Sequence, residues 1–344
     1  SYNSYSNRKD SWYNLINNKL LKMKIGREKE LGIGIEALAG TSVAPQVYVP
    51  FLECSLQEMH EPIADNSAKG VRDAQGNDSV EGKKWGEGNV KIVLDAKIAP
   101  YLFALALGEV DTTDKATYYT HTFTRKEDNP PLTATFWKGR EVDSANFPYG
   151  VVNSLELEFS DDVASLNAEI ISRYPVTQTR TSTYSALKYY TFRNAVVKVG
   201  ASVGAVAEIK VKEFTLNINN NAEALHRPGG NDADIIPFKQ FEVTGSFTVI
   251  FDNDDWLDAF KDLTKQALVI ELTGGKIGLT NVDEKITITI PKFRVQKREE
   301  GADLDNLVEE TIDFVAEYDD KDGTIKIEVK NDVDGYAAEV GSGS

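Results

Sequence analysis

Apolar and polar residues alternate in many short stretches of this chain, and the alternation favours a fold built from strands. Clear examples lie at residues 155–159, 243–251, 286–290 and 325–329. A period of two puts successive side chains on opposite faces of a β-strand, so each stretch predicts a strand with one buried face. The chain is therefore expected to be mainly β.

Strands and helices are expected in a fixed order. Strands are predicted near residues 49–59, 83–94, 117–125, 132–138, 150–160 and 163–173, and again near 206–219, 238–251, 267–273, 285–296, 308–318 and 324–330. One helix is predicted over 95–110, with Asp95 as its N-cap and Gly108 at its end. A second is predicted over 252–266. Each helix is expected to lie with one face against a sheet.

Each half of the chain has the order strand, long polar loop, strand and helix, with loops at 61–88 and 220–237. Because the same order occurs twice, we expect two tandem copies of one β-sandwich domain with a flanking helix. The expected boundaries are an N-terminal arm or extension (1–24), a first domain (25–176), a linker (177–189), a second domain (190–335) and a C-terminal tail (336–344). The tail ends in GSGS, which is typical of an expression linker.

Composition and charge exclude several classes of protein. The formal net charge of −16 argues against neutralising nucleic-acid phosphates. Cys54 is the only cysteine, which excludes an internal disulfide and fits a small core residue at a strand end. No run of about eighteen apolar residues occurs, so membrane insertion is not expected. The first thirty residues are net basic and 299–322 is strongly acidic. These stretches are either complementary surfaces of neighbouring subunits or two separate solvated stretches.

No arrangement of residues supports catalysis or metal binding. The three histidines, His60, His121 and His226, are far apart in sequence, and each is expected to be a surface or strand residue. The acidic stretches 318–324 and 331–336 do not fit an EF-hand, and their Asp-Gly pairs are typical of tight hairpin turns. The sequence predicts no enzyme activity, no metal and no cofactor.

Three motifs lie between Met23 and about residue 110. They are GIGIEALAGT (32–41) followed by a proline and an aromatic strand, EGKKWGEGNV (81–90) and APYLFALALG (99–108). With these motifs the stretch resembles the N-terminal part of the tail tube (major tail) proteins of tailed bacteriophages. The later strands match by pattern only. A start at Met23 would make residues 1–22 an upstream extension or an unusual arm.

The resemblance implies a structural virion protein of the tail, assembled in the host bacterial cytoplasm. Such proteins form stacked rings around a channel for the genome, and their strands join into a barrel that lines it. A chain with two tube domains would form a pseudo-hexameric ring from three copies. The implied partners are further copies of the chain, the tape measure, tail terminator and distal tail proteins, and passing double-stranded DNA that is not specifically bound.

Two sets of residues are candidates for functional surfaces. The long loops are expected to contact a neighbouring subunit, with an adjacent ring as the favoured neighbour; the residues concerned are Asn66, Lys69, Arg72, Asp73, Asn77, Lys83, Lys84, Trp85, His226, Arg227 and Asn231. The polar strand positions Glu156, Glu158, Thr244, Ser246, Thr287 and Thr289 are candidates for the channel lining. The alternative for this second set is an outer solvent-facing surface.

Two other functions fit a tandem β-sandwich. One is a surface adhesion module that binds protein or carbohydrate, although no cluster of aromatic residues suggests sugar stacking. The other is an esterase-like or glycosidase-like β-enzyme, which the lack of catalytic motifs disfavours.

Overall fold

The computed structural model of the protein describes residues 28–63, 80–139, 144–159, 163–250, 255–301 and 308–337. Within these ranges the chain forms nineteen β-strands and two α-helices. The expectation of a mainly β fold is confirmed.

The strands and helices have the following bounds. The strands are β1 (Glu30–Ile35), β2 (Val47–Tyr48), β3 (Glu53–Cys54), β4 (Gln57–His60), β5 (Lys84–Val93), β6 (Gly108–Asp114), β7 (Tyr119–Arg125), β8 (Ala134–Gly139), β9 (Ala145–Phe159), β10 (Ser165–Ser172), β11 (Val176–Thr177), β12 (Ala195–Gly200), β13 (Val206–Ile209), β14 (Val211–Asn219), β15 (Glu242–Ile250), β16 (Lys265–Lys276), β17 (Asp283–Gly301), β18 (Glu309–Ala316) and β19 (Lys326–Asn331). The helices are α1 (Ala99–Leu107) and α2 (Asp255–Lys261).

One antiparallel sheet runs through both halves of the chain, and we call it the joined sheet. Its order is β3 and β4, then β5, β10, β9, β14, β15, β18 and the C-terminal part of β17. The pairing of β9 with β14 connects the halves, with Phe159 opposite Phe214 and Ser154 opposite Asn219. The halves therefore share one hydrogen-bonded surface.

Two further antiparallel sheets complete the fold. The small sheet has the order β2, β1, β8, β9 and β11. The second sheet has the order β6, β7, β19, β17, β16, β12 and β13. Strand β9 belongs to both the small and the joined sheet, and β17 belongs to both the second and the joined sheet. These two long strands connect the layers.

Helix α1 lies inside the protein, with all nine of its residues buried. It contacts β9 as well as β6 and β7. Its sequence, APYLFALAL, carries apolar residues on every side, and such a helix belongs in a core. We expected one face of this helix to lie on a sheet, whereas the structure buries the helix on every side. Gly108 ends the helix as predicted, in a left-handed conformation with φ of 88°.

Asp95 does not cap helix α1 directly. Its Oδ1 accepts the backbone N–H groups of Lys97 and Ile98, at 2.7 and 2.8 Å, and the helix begins only at Ala99. The carboxylate thus fixes the turn that leads into the helix, while the N-cap position is Ile98. The predicted start at residue 95 was four residues early because this turn is non-helical.

The turn at Asp322-Gly323 is present, but it does not join a hairpin. Gly323 has φ of 72°, and Asp319 pairs with Gly323 across the turn. Strand β18 then pairs with β15 and β17, whereas β19 pairs with β17 and β7. The hairpin expectation was wrong because the strand after the turn moves to another sheet.

Gly88 permits a close approach between β5 and the short strands beside it. Its φ is 155°, and a Cβ atom there would lie 2.5 Å from the Cα of Leu56. A side chain at this position would collide with backbone. The close approach of Leu56 to β5 therefore depends on this glycine.

Candidate assembly surfaces

One face of the joined sheet carries polar side chains from both halves. Glu156 lies opposite Asn167 on one side and Asn217 on the other, and Asn217 lies opposite Thr244. In the next row Glu158 lies opposite Thr215, and Thr215 lies opposite Ser246. The intervening residues Leu155, Leu157 and Phe159 are buried. Four of the six candidate lining residues therefore share one polar face.

The other two candidate lining residues lie elsewhere. Thr287 and Thr289 are in the N-terminal part of β17, where they pair with Glu271 and Val269 of β16 and with Glu328 and Lys326 of β19. Thr289 is buried. These residues belong to the second sheet and are not part of the polar face of the joined sheet.

Carboxylates outnumber cations on the polar face. By strand register its charged members in the described chain are Glu53, Glu87, Lys91, Glu156, Glu158, Glu169, Glu213, Glu242, Arg294, Lys297, Glu299, Glu309 and Asp313. Lys91 Nζ lies 3.5 Å from Glu158, and both side chains are at least one-third exposed. Such an exposed pair contributes little stability. Because carboxylates outnumber cations, the face is acidic.

Most of the candidate loop residues that the structure describes lie close together. Asn66, Lys69, Arg72, Asp73 and Asn77 lie outside the described residues. Trp85 and His226 pack edge to face, with ring centroids 6.1 Å apart. His226 Nε2 lies 3.2 Å from the carbonyl oxygen of Lys84, and the Lys84 N–H donates to the Asn231 carbonyl at 2.8 Å.

The long loop of the second half (220–237) therefore contacts the first half of the same chain. Residues 220–241 form a clasp over β5 and β10. Arg173 donates from Nε to the Ala233 carbonyl at 3.0 Å and from Nη2 to the Asp234 carbonyl at 2.6 Å. The Tyr174 N–H donates to Asp232 at 2.8 Å.

A separate apolar cluster lies beneath the clasp. Tyr149, Val151, Ile171, Ala233 and Ile236 are all buried there. Val151 and Ile171 are directly opposite each other on β9 and β10. Sequence reasoning missed Arg173 and this cluster. The only available signal was that Ile171 and Val151 are apolar on strand faces that are otherwise polar.

Within the described chain the joined sheet ends in β3 and β4 on one side and in residues 295–301 of β17 on the other. Strands β3 and β4 pair only with β5, and residues 295–301 of β17 pair only with β18. Gln57, Glu58 and His60 are exposed at the first edge. The outer strands of a sheet are the places where a strand of another chain can be added.

Two grooves lie at corresponding places beside this sheet. One, of about 770 Å³, is lined mainly by residues 49–54, together with residues 28–30 and Tyr184. The other, of about 400 Å³, is lined by residues 208–214, by Arg193 and 195–197 of the β12 region, and by Phe159. Each groove thus lies beside the segment that leads into a strand of the joined sheet, which is β3 for the first groove and β14 for the second.

Buried titratable groups surround the entry to α1. Burial raises the pKa of Asp95 from 3.8 to about 6, against the two backbone N–H groups that lower it. Burial also lowers the pKa of His121, whose Nε2 lies 3.0 Å from Asn331 Oδ1 and 2.9 Å from the Val333 carbonyl. Tyr336 donates to the Lys97 carbonyl at 3.0 Å. These groups fix the residues that follow β19 against the helix entry.

The described residues contain neither a candidate metal site nor a candidate membrane-spanning helix. Among them no group of three or more His, Cys, Asp or Glu side chains could hold a metal ion. No helix in that part of the chain is long and apolar enough to cross a membrane.

Comparison with known proteins identifies a family. A sequence model of a protein family described as "Phage tail tube protein" matches residues 26–316. No curated protein matches the chain. The match includes the joined sheet and both described helices.

Proposed function

Because the chain belongs to the phage tail tube protein family, we propose that it polymerises into stacked rings that form a conduit for the phage genome. It is a structural, non-enzymatic protein of the virion tail. The observation that carries the proposal is the joined sheet, which runs through both halves of the described chain and has an acidic polar face.

We further propose that the chain contains two copies of one tube domain, because the strands pair in the same order in each half. In the first half, β3 and β4 are followed across the joined sheet by β5, β10 and β9. In the second half the order β14, β15, β18 and β17 repeats it. The small-sheet order β2, β1, β8 and β9 likewise corresponds to β13, β12, β16 and β17.

The positions of the β-bulges also support this duplication. The β9–β10 ladder shifts at Glu169/Ile170, leaving Asn153 as the extra residue, and the β17–β18 ladder shifts at Val295/Lys297, leaving Gln296. Shifts at Ala134/Phe136 in β8 and at Gln266/Leu268 in β16 correspond in the same way. Bulges are specific features of a fold, and coincidence of both pairs favours a shared origin.

Three such chains would make one pseudo-hexameric ring. A heterologous contact that closes by rotation gives a ring, and stacking of rings with a twist gives a tube. Closing the ring would place the outer strands of the joined sheet between neighbouring chains. The same assembly would contact tape measure, terminator and distal tail proteins at its ends, as is implied by resemblance to the family.

The acidic face is our candidate for the channel lining. DNA phosphates are repelled by carboxylates such as Glu156 and Glu158, so double-stranded DNA would pass without adhering. In that orientation Thr287 and Thr289 would lie in the outer wall, because they belong to the second sheet.

Electron microscopy of the purified full chain tests the proposal. We expect tubes, or rings with three-fold symmetry and six similar lobes. A protein that stays monomeric at high concentration and binds glycans would contradict it and would favour the adhesion alternative.

A further inference from the structure

We propose that three charged residues, Arg298, Glu300 and Glu310, prevent β17 from accepting the apolar strand β14, which pairs with the counterpart of β17 in the first half, β9. We call these residues the ionic triad. The inference rests on the proposed duplication, since it compares equivalent positions of the two halves. It goes beyond the proposed function, because it assigns to named side chains the choice between a correct and an incorrect strand partner.

The equivalent positions of the first half are leucines. The matching bulges align the β9–β10 ladder with the β17–β18 ladder. In this alignment the members of the ionic triad correspond, in the same order, to Leu155, Leu157 and Leu166. All three leucines are at most 3% exposed. Three core positions of one half are therefore charged in the other half.

The pairing with the next strand of the sheet gives the same alignment. Leu166 lies opposite Ile92 of β5, and Glu310 lies opposite Val249 of β15. Both of these partners are buried apolar residues. Glu310 therefore occupies a place whose neighbours would suit an apolar side chain, as they do in the first half.

The leucines of β9 form the apolar side of the junction between the two halves. Leu155 lies opposite Ile218 of β14, and Leu157 lies opposite Leu216. Apolar cross-strand pairs of this kind stabilise the contact between two strands. On β17 the same strand would place Ile218 and Leu216 against two members of the ionic triad. The charged groups would lose hydration without gaining a polar partner, and this costs free energy.

The ionic triad is held together within its own chain. Arg298 contacts Glu310, and its Nη2 lies 3.0 Å from Glu300 Oε2. Glu310 is 1% exposed and the Arg298 side chain is 12% exposed. Within the described part of the chain, Arg298 Nε and Glu310 Oε2 are buried without a hydrogen-bond partner. Because loss of hydration offsets the attraction in a buried ion pair, stability does not explain why charges stand where leucines would fit. Specificity does.

Discrimination is needed because the two halves contain similar strands. Since β9 and β17 are equivalent, β14 of one copy could add to β17 of another copy while the chains fold. That contact would leave β9 of the first of these copies without its own β14. A contact between unlike surfaces that does not close gives open filaments instead of rings. Charges that face an incorrect partner are one of the ways in which proteins exclude it.

A pair of reporter cysteines detects the incorrect junction. Asn217 of β14 lies opposite Glu156 of β9, and Glu299 is the equivalent of Glu156 on β17. Asn217→Cys with Glu299→Cys would therefore form a disulfide where β14 of one copy meets β17 of another. Within one chain β15 and β18 separate these two strands, so the reporters are too far apart to react with each other.

The experiment replaces the ionic triad by the leucines of the first half. The triple variant is Arg298→Leu with Glu300→Leu and Glu310→Leu. It is compared with the parent as the full chain, with both reporters in a Cys54→Ser background, refolded from urea at high protein concentration under oxidising conditions. On a non-reducing gel we expect several-fold more covalent dimers and larger oligomers from the triple variant. Its urea midpoint should equal or exceed that of the parent, because apolar replacement of a buried ion pair is often neutral or stabilising.

A second group of three charged residues provides the matched control. On the second sheet, Glu271 lies 2.9 Å from Lys198 and 3.2 Å from Lys285. Lys198→Leu with Glu271→Leu and Lys285→Leu makes the same number of changes away from the joined sheet. This control should not increase the reporter disulfide.

Three results would overturn the inference. The reporter disulfide could be no more frequent in the triple variant than in the parent, which would show that the ionic triad does not exclude β14. A urea midpoint clearly below that of the parent would show that the triad serves stability. An equal increase in the control variant would show general hydrophobic association. Tubes formed by the parent would leave the proposed function intact in each case, whereas a parent that forms no tubes would contradict the function alone.

Discussion

Phe159 at the end of β9 and Phe214 near the start of β14 face each other across the junction of the two halves, with ring centroids 5.8 Å apart. Phe214 in turn lies 6.3 Å from Phe314, which lies 5.9 Å from Phe247. These rings are buried beneath the joined sheet. The hydrophobic core is therefore continuous from one half to the other.

Truncating Phe214 should destabilise the whole chain. Phe214→Ala removes a ring that is 1% exposed, and we expect a loss of about 3–5 kcal/mol in the free energy of unfolding. Urea denaturation followed by tryptophan fluorescence and by circular dichroism should give coincident transitions. Thr215→Ala, on the polar face, is the control and should change stability by less than about 1 kcal/mol. Two separate transitions for Phe214→Ala would contradict a shared core.

Replacing Arg173 should loosen the clasp without unfolding the sheets. Arg173→Met leaves the carbonyls of Ala233 and Asp234 without their donors, which costs about 1–3 kcal/mol locally. Hydrogen exchange should increase in residues 222–238 and stay unchanged in β14. Arg294→Met, which removes an ion pair with Glu317, is the control. Equal exchange in both variants would show that Arg173 does not secure the clasp.

Asp95 should make stability depend on pH between about 4 and 6. Its folded pKa of about 6 lies above the ordinary value of 3.8, so the folded state binds the extra proton in that interval. The stabilisation this provides is complete below 3.8 and is lost as the pH rises through 6. The full shift corresponds to about 3 kcal/mol.

Asp95→Asn keeps an oxygen acceptor for the Lys97 and Ile98 N–H groups and removes the ionisation. We expect the variant to be more stable than the parent at pH 7 and to gain less on acidification to pH 5. Urea midpoints of the dispersed protein at both pH values measure this. Parallel pH profiles for parent and variant would show that Asp95 is not the titrating group.

Reversing charge on the polar face should make assembled tubes retain DNA. Glu156→Lys with Glu158→Lys replaces two repulsive carboxylates by cations that attract phosphates. Co-sedimentation of tubes with short duplex DNA should increase at low salt and fall as salt is added. Glu328→Lys, on the second sheet, is the control. If that control alone retained DNA on the inside of tubes, the orientation of the wall would be reversed.

Local strand signals were predictable from the sequence, since alternation reflects burial of one face. Predicted strands at 83–94 and 163–173 correspond to β5 and β10 within two residues. Strand β1 was missed because its sequence, ELGIGI, alternates apolar residues with glycines, which are weak strand formers. Gly34 is needed there because a Cβ atom would lie 2.3 Å from the Ala44 carbonyl oxygen.

Long-range pairing was not predictable from local pattern. Nothing in residues 154–159 or 214–219 indicates that these strands lie side by side, because either could pair with any strand of similar alternation. The clasp was also hidden, since Arg173 recognises backbone carbonyls rather than a particular side chain. Thr287 and Thr289 lie on a different surface from the other four candidate lining residues, because β17 passes from the second sheet into the joined sheet along its length.

The β9–β14 junction also bears on how assembly would depend on protein concentration. Its two strands belong to one chain, so their local concentration does not depend on how dilute the sample is. A contact between two separate chains would have no such tether. Every ring would then contain one kind of junction that is always formed and one that obeys mass action. The critical concentration for tube growth would report the affinity of that second junction together with ring stacking, and would be insensitive to the strength of the first.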